Sequence, residues 1–109
     1  KAAKALTRRI EMLSEARRRG VRVAVGTDTN HGDIAAEAQA LIDAGFTAGQ
    51  ALAAVTIEGA RLTRTDGIIG AIQVGKQADL VALEANPLLS ATAYKTVRHV
   101  FQKGVPANT

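Results

Sequence analysis

Few side chains in this sequence could do chemistry, and Asp28 is the foremost of them. It follows Val21-Arg22-Val23-Ala24-Val25-Gly26-Thr27, a short β-branched run. It is therefore expected at the end of a buried parallel strand, Val21–Asp28. In parallel sheets and barrels, ligands bind at the carboxyl ends of strands, and a carboxylate there can bind a metal or accept a proton. The other reading of Asp28 is a loop residue closing an Asx-turn. His31 could join it as a metal pair or a proton-transfer pair, or be a partly exposed loop histidine. His99, the second of two histidines, falls inside a tail strand and reads as structural. Glu37 and Asp43 lie on the helix after this loop. Glu37 is near enough in sequence to stand beside the site, or else faces solvent or the helix's positive end. Lys76 and Asp79 flank a tail strand and read as turn and strand-edge residues.

A catalytic metal site needs at least three protein ligands and an open position for water. Two histidines, no cysteine and scattered carboxylates do not make such a site recognisable from spacing. No His-Glu-x-x-His, Gly-rich phosphate loop or Gly-x-Ser-x-Gly is present. The residues alone amount to one strand-end carboxylate in an incomplete α/β fold.

The elements that must position Asp28 are legible in outline. Lys1–Arg19 reads as an amphipathic helix with Leu6, Ile10 and Leu13 on one face, ended by Gly20 as a C-cap. Helix, glycine and strand together form the αβ half of a βαβ unit. Past the Gly26–Gly32 loop, Asp33 can cap a helix whose apolar stripe is Ile34, Ala38, Leu41 and Ile42, with Gly45 at its end. Thr47 and Gln50 make a capping box for the next helix, which runs through Ala51, Leu52 and Val55, bends or restarts near Thr56, and continues to Leu62. After Thr65, Gly67, Gly70 and Gly75 punctuate short β-type runs. Ala78–Leu83 and Val97–Gln102 are strand candidates, separated by the stop signal Asn86-Pro87, and the second turns at Lys103-Gly104. The chain thus divides into an α/β part, residues 1–64, and a β-rich tail, residues 65–109. A single parallel strand leaves both edges unpaired, and parallel strands need crossovers and helices on both faces of a larger sheet. The missing strands are expected from residues not present, another chain, or a rearranged fold.

Composition narrows the class. With 47% apolar and only 3% aromatic residues among 109, the chain is globular with an aliphatic core. The absence of cysteine excludes a disulfide framework and fits a reducing, cytoplasmic setting. No apolar run approaches the roughly 20 residues that span a bilayer, so no membrane partner is expected. The formal charge of +4 is concentrated in Arg8, Arg9, Arg17, Arg18 and Arg19. These read as a solvated helix face with a favourably charged C-terminus in preference to a nucleic-acid patch, because aromatic stacking platforms are absent. The first residue is Lys1, not Met, which we take as a first hint of a fragment.

Two stretches in register carry a resemblance. The first is Val23-Ala24-Val25-Gly26-Thr27-Asp28-Thr29 with His31-Gly32, then Ala44-Gly45-Phe46-Thr47, Ala51-Leu52 and Thr56. The second is Ile69-Gly70-Ala71-Ile72, Gly75-Lys76-Gln77-Ala78-Asp79-Leu80-Val81 and Asn86-Pro87-Leu88. Their order and spacing resemble the C-terminal region of the amidohydrolase superfamily, in its imidazolonepropionase-like and Xaa-Pro dipeptidase-like branch. The resemblance implies the C-terminal fragment of a (β/α)8 metal-dependent hydrolase barrel, plus the C-terminal strands of its small β-sandwich. Lys1–Arg19 would be the last-but-one barrel helix, Val21–Val25 the eighth strand, and Gly75–Val81 the return into the sandwich. It implies cleavage of C–N bonds in a small amide-type substrate, with a divalent metal, zinc first, in the complete enzyme and none tightly held by this chain alone. Asp28 would be both metal ligand and proton acceptor from the attacking water. The family's His-x-His pair, its bridging Lys or Glu and two further histidines belong upstream of Lys1. Glu58 stands where the family usually has Asn, the loop between Thr29 and His31 is shorter than in many members, and no ligand role passes to His31. The implied partners are the missing N-terminal part of the enzyme or a second copy of the chain. The competing expectation is a non-catalytic interaction module that oligomerises to cover its unpaired strands.

Overall fold

The computed structural model describes the backbone of residues 2–26 and 33–107, and side chains from Thr7 onward within those ranges. Four helices come first: α1 (Ala2–Arg18), α2 (Ile34–Asp43), α3 (Ala48–Val55) and α4 (Ile57–Leu62). They are followed by β1 (Leu80–Leu83), a 3-10 helix over Ala91–Lys95, β2 (Val97–Gln102) and β3 (Val105–Pro106).

Local signals set the helix ends. Gly20 takes φ +72° after α1, a left-handed conformation that costs glycine little. The Asp33 carboxylate accepts from Ala36 N at 3.0 Å and starts α2. The Thr47 hydroxyl accepts from Gln50 N at 3.0 Å, and Gln50 Oε1 accepts from Thr47 N at 2.8 Å, so both halves of the box are made. At Thr56 the backbone leaves helical geometry (φ −126°, ψ −94°). Its hydroxyl donates to Leu52 O at 2.7 Å, and the chain restarts as α4.

The core is small-residue packing. Ala38, Leu41, Ala51, Ala54 and Ala91 form its buried centre, with Leu13, Val23, Val25, Ile42, Phe46 and Tyr94 packed around it. Ala91 and Tyr94 arrive from the 3-10 helix, which lies against α2. Among the described residues no large side chain is completely enclosed.

The tail forms a three-stranded antiparallel sheet in the order β1-β2-β3. Leu80 pairs with Phe101 and Ala82 with His99, and the register shifts between Ala82 and Leu83. β2 and β3 join through Lys103-Gly104, both at positive φ (52° and 80°), as a two-residue type I′ hairpin requires.

Three expectations are corrected. Val21–Val25 is not a laddered strand. The described part of Val21–Asp28, Val21–Gly26, is extended without strand pairing, and Val21 is 54% exposed. A strand exists only with a hydrogen-bonded neighbour, and no other parallel segment lies in the described residues. The runs around Gly67, Gly70 and Gly75 are turns, not strands. Gly70 sits at φ +100°, where an added Cβ would come within 2.8 Å of Ala60 Cβ, so this segment folds back onto α4. Finally, the first tail strand begins at Leu80, not Ala78, because Ala78 O accepts instead from Gly104 N at 2.9 Å.

Candidate functional site

Asp28 and His31 lie outside the described residues, so the site is built from what holds their loop at both ends. On the entry side, α1 turns at Gly20 into the extended Val21–Gly26. Val23 and Val25 point their apolar bodies into the core, and Val25 N donates to Ala54 O on α3 at 3.0 Å. The approach to Asp28 therefore leans on the third helix. On the exit side, Asp33 caps α2, and Ala35 and Ala38 bury that helix's first turns.

Two contacts tie α1 to α2. Arg9 Nη2 and Glu37 Oε2 form an ion pair near the start of α2. Arg17 Nε donates to Ala44 O at 3.3 Å at its end. Each places charge where the helix dipole favours it, a carboxylate in the first turn and a guanidinium at the last carbonyls. Glu37 thus serves the helix's positive end. Its i,i+4-spaced neighbour positions gave no hint of Arg9, because the pair spans two helices and 28 residues. Arg17 was legible only as a basic residue in the last turn of α1, and Tyr94 carried no sequence signal at all.

The other candidates have structural partners. Asp43 Oδ1 accepts from Gln39 Nε2 at 2.9 Å. Asp79 Oδ1 accepts from Lys103 N at 2.9 Å and its Oδ2 from Gln77 Nε2 at 2.8 Å, which pins the β2–β3 hairpin beside the start of β1. Lys76 N donates to Gln73 O in a turn. His99 is exposed on β2, its ring 6.3 Å from that of Phe101. Glu58 pairs with Arg61 at 3.3 Å on α4, and both line an open groove of about 190 Å³ with Arg22, Val23, Ala24 and Leu62. That groove lies between residues 22–24 and α4.

Hydrogen bonds from Arg18 and Arg19 to Glu15, with the Arg18 charge, hold its carboxyl below the ordinary value. Burial pushes the Tyr94 phenol up. Its hydroxyl is enclosed and has no hydrogen-bond partner among the described residues.

A metal would need a convergent donor set. Among the described residues, no three of His, Cys, Asp and Glu come together in a way that could hold one. Those residues do not fit a metal ion by themselves. The same residues contain no helix long and apolar enough to cross a membrane.

Four helices, an unpaired segment running to Gly26 and a small antiparallel sheet make up the described residues. The comparisons name the family: the amidohydrolase family model matches residues 1–109, and the chain belongs to that family. Among solved structures, a Xaa-Pro dipeptidase with methionine bound in its active site superposes with a TM-score of 0.85 at 30% identity, covering 92% of this chain and 25% of that one. A putative prolidase from Bifidobacterium longum gives 0.83 at 32% identity, covering 92% and 26%. Molinate hydrolase gives 0.66 at 32% identity over 70% of this chain and 16% of that one. The chain spans about a quarter of the length of the two dipeptidase-like structures. No curated protein matches it.

Proposed function

We propose that these residues supply the C-terminal part of a metal-dependent hydrolase that cleaves amide or peptide C–N bonds. The observation that carries this reading is the 0.85 TM-score at 30% identity, over 92% of the chain, to a Xaa-Pro dipeptidase. In this reading Val21–Val25 becomes the eighth strand of a (β/α)8 barrel once neighbouring strands pair with it, and residues 65–109 belong to the β-sandwich beside the barrel. Asp28 would be this chain's residue for holding a divalent metal, zinc first, in the complete enzyme, and its carboxylate would accept a proton from water. A bound metal supplies the lowered water pKa, near about 7, that makes neutral-pH attack feasible. The chain's own described contribution is mechanical. Val25 anchored on Ala54, and the Arg9–Glu37 and Arg17–Ala44 contacts, hold both ends of the loop that carries the carboxylate. The working partner is the N-terminal part of the enzyme, and the setting is cytoplasmic.

The test is hydrolysis of Xaa-Pro dipeptides, with zinc supplied, by the complete hydrolase that contains these residues. Asp28→Asn is expected to lower kcat by about 10²- to 10⁴-fold, the usual contribution of a positioned general base, while leaving the thermal transition in place. Unchanged turnover in that variant defeats the assignment. The 109 residues alone are expected to show neither turnover nor tight stoichiometric zinc, because one carboxylate is not a three-ligand site.

A further inference from the structure

We draw no further inference here: the strongest candidate, the unladdered edge of Val21–Gly26 with the Arg22–Arg61 groove beside it, calls for a neighbouring strand that the hydrolase barrel already proposed would supply, and nothing in the structure shows any other occupant.

Discussion

Gly45, just past α2, packs against the guanidinium of Arg17 on α1. Gly45 has φ +101°, and a Cβ built there would lie 2.8 Å from Arg17 Nε. Alanine at this position must strain the backbone and displace the guanidinium that caps Ala44 O. Gly45→Ala is expected to cost about 1–2 kcal/mol from the left-handed backbone alone, read as a lowered urea midpoint at constant slope. Arg17→Ala removes one capping hydrogen bond and is expected to cost about 0.5–1.5 kcal/mol. The double variant should cost less than the sum, since the displaced arginine is already gone; strict additivity would show that the two residues do not share one contact. Tyr94 presents the opposite case. Its hydroxyl is enclosed without a partner among the described residues, and removing an unsatisfied polar group is neutral or stabilising. Tyr94→Phe is expected to hold or raise the melting temperature, and a clear loss would reveal a hydrogen bond at this hydroxyl. The two titrating groups have opposite signs. Tyr94's raised pKa means the folded state keeps its proton longer, so that contribution is present below the unfolded value near 10 and fades as pH rises through the folded one. Glu15's lowered pKa contributes above its ordinary value of 4.5 and fades as pH falls through the folded one. Because Glu15 is exposed at the surface, the effect should be small and screened by salt. Comparing acid unfolding of Glu15→Gln with the parent at low and high ionic strength measures it.

At the scale of elements, the local signals and the non-local ones separate cleanly. Gly20, Asp33, the Thr47–Gln50 box, Thr56 and the Lys103-Gly104 turn each act within a few residues, and each is found where its residue type requires. Thr47→Ala removes the hydroxyl that accepts from Gln50 N, while the bond from the residue 47 backbone N to Gln50 Oε1 can persist, and is expected to destabilise by about 1 kcal/mol. Loss concentrated in amide exchange over Ala48–Val55 would localise it to α3, whereas an unchanged midpoint would mean that packing of Ala51 and Ala54 alone sustains the helix. The extended segment shows the converse. Val21-Arg22-Val23-Ala24-Val25 has strand composition, yet a ladder depends on a neighbour that composition cannot supply. The 3-10 helix at Ala91–Lys95 has a local cap, Ser90 Oγ accepting from Thr92 N at 3.2 Å, but its packing is tertiary: Ala91 and Ala93 are small enough to approach α2. The turns over residues 63–79 resemble β-type runs in sequence for a related reason. Glycine marks a break in regular structure without specifying the conformation beyond it, and Gly70 is there to fit against Ala60 and Ile57. The site was legible only as far as Asp28's place in its motif. The contacts among Arg9, Glu37, Arg17 and Ala44 bring together residues 27 or more apart, and no local pattern encodes them.

For the whole molecule, exposed surface is the telling quantity. A folded monomer of this mass is expected to expose about 5,700 Å², and the chain exposes 7872 Å². Its radius of gyration is 14.6 Å, against about 13 Å for a compact chain of this length. The excess, about 2,000 Å², is of the size that an obligate interface removes from one partner. Its apolar part includes Met12, Leu62, Ile72, Val74 and Leu89, each more than half exposed. Meanwhile the buried core is nearly all alanine, which supplies little transfer free energy per residue. Burial within the described residues alone is therefore thin. The second reading is an interaction module that oligomerises to cover its unpaired strands. The two readings part in solution. If the remainder of a hydrolase is the natural cover, the isolated 109 residues should bind a hydrophobic dye and form particles whose light-scattering mass grows with concentration without reaching a fixed stoichiometry. If a second copy is the cover, the mass should settle at a small integer multiple of 11.3 kDa and dye binding should vanish at that plateau, because a closed symmetric interface hides the same patch on both partners. A dye-free monomer at all concentrations would sink both, and would mean that the alanine core suffices.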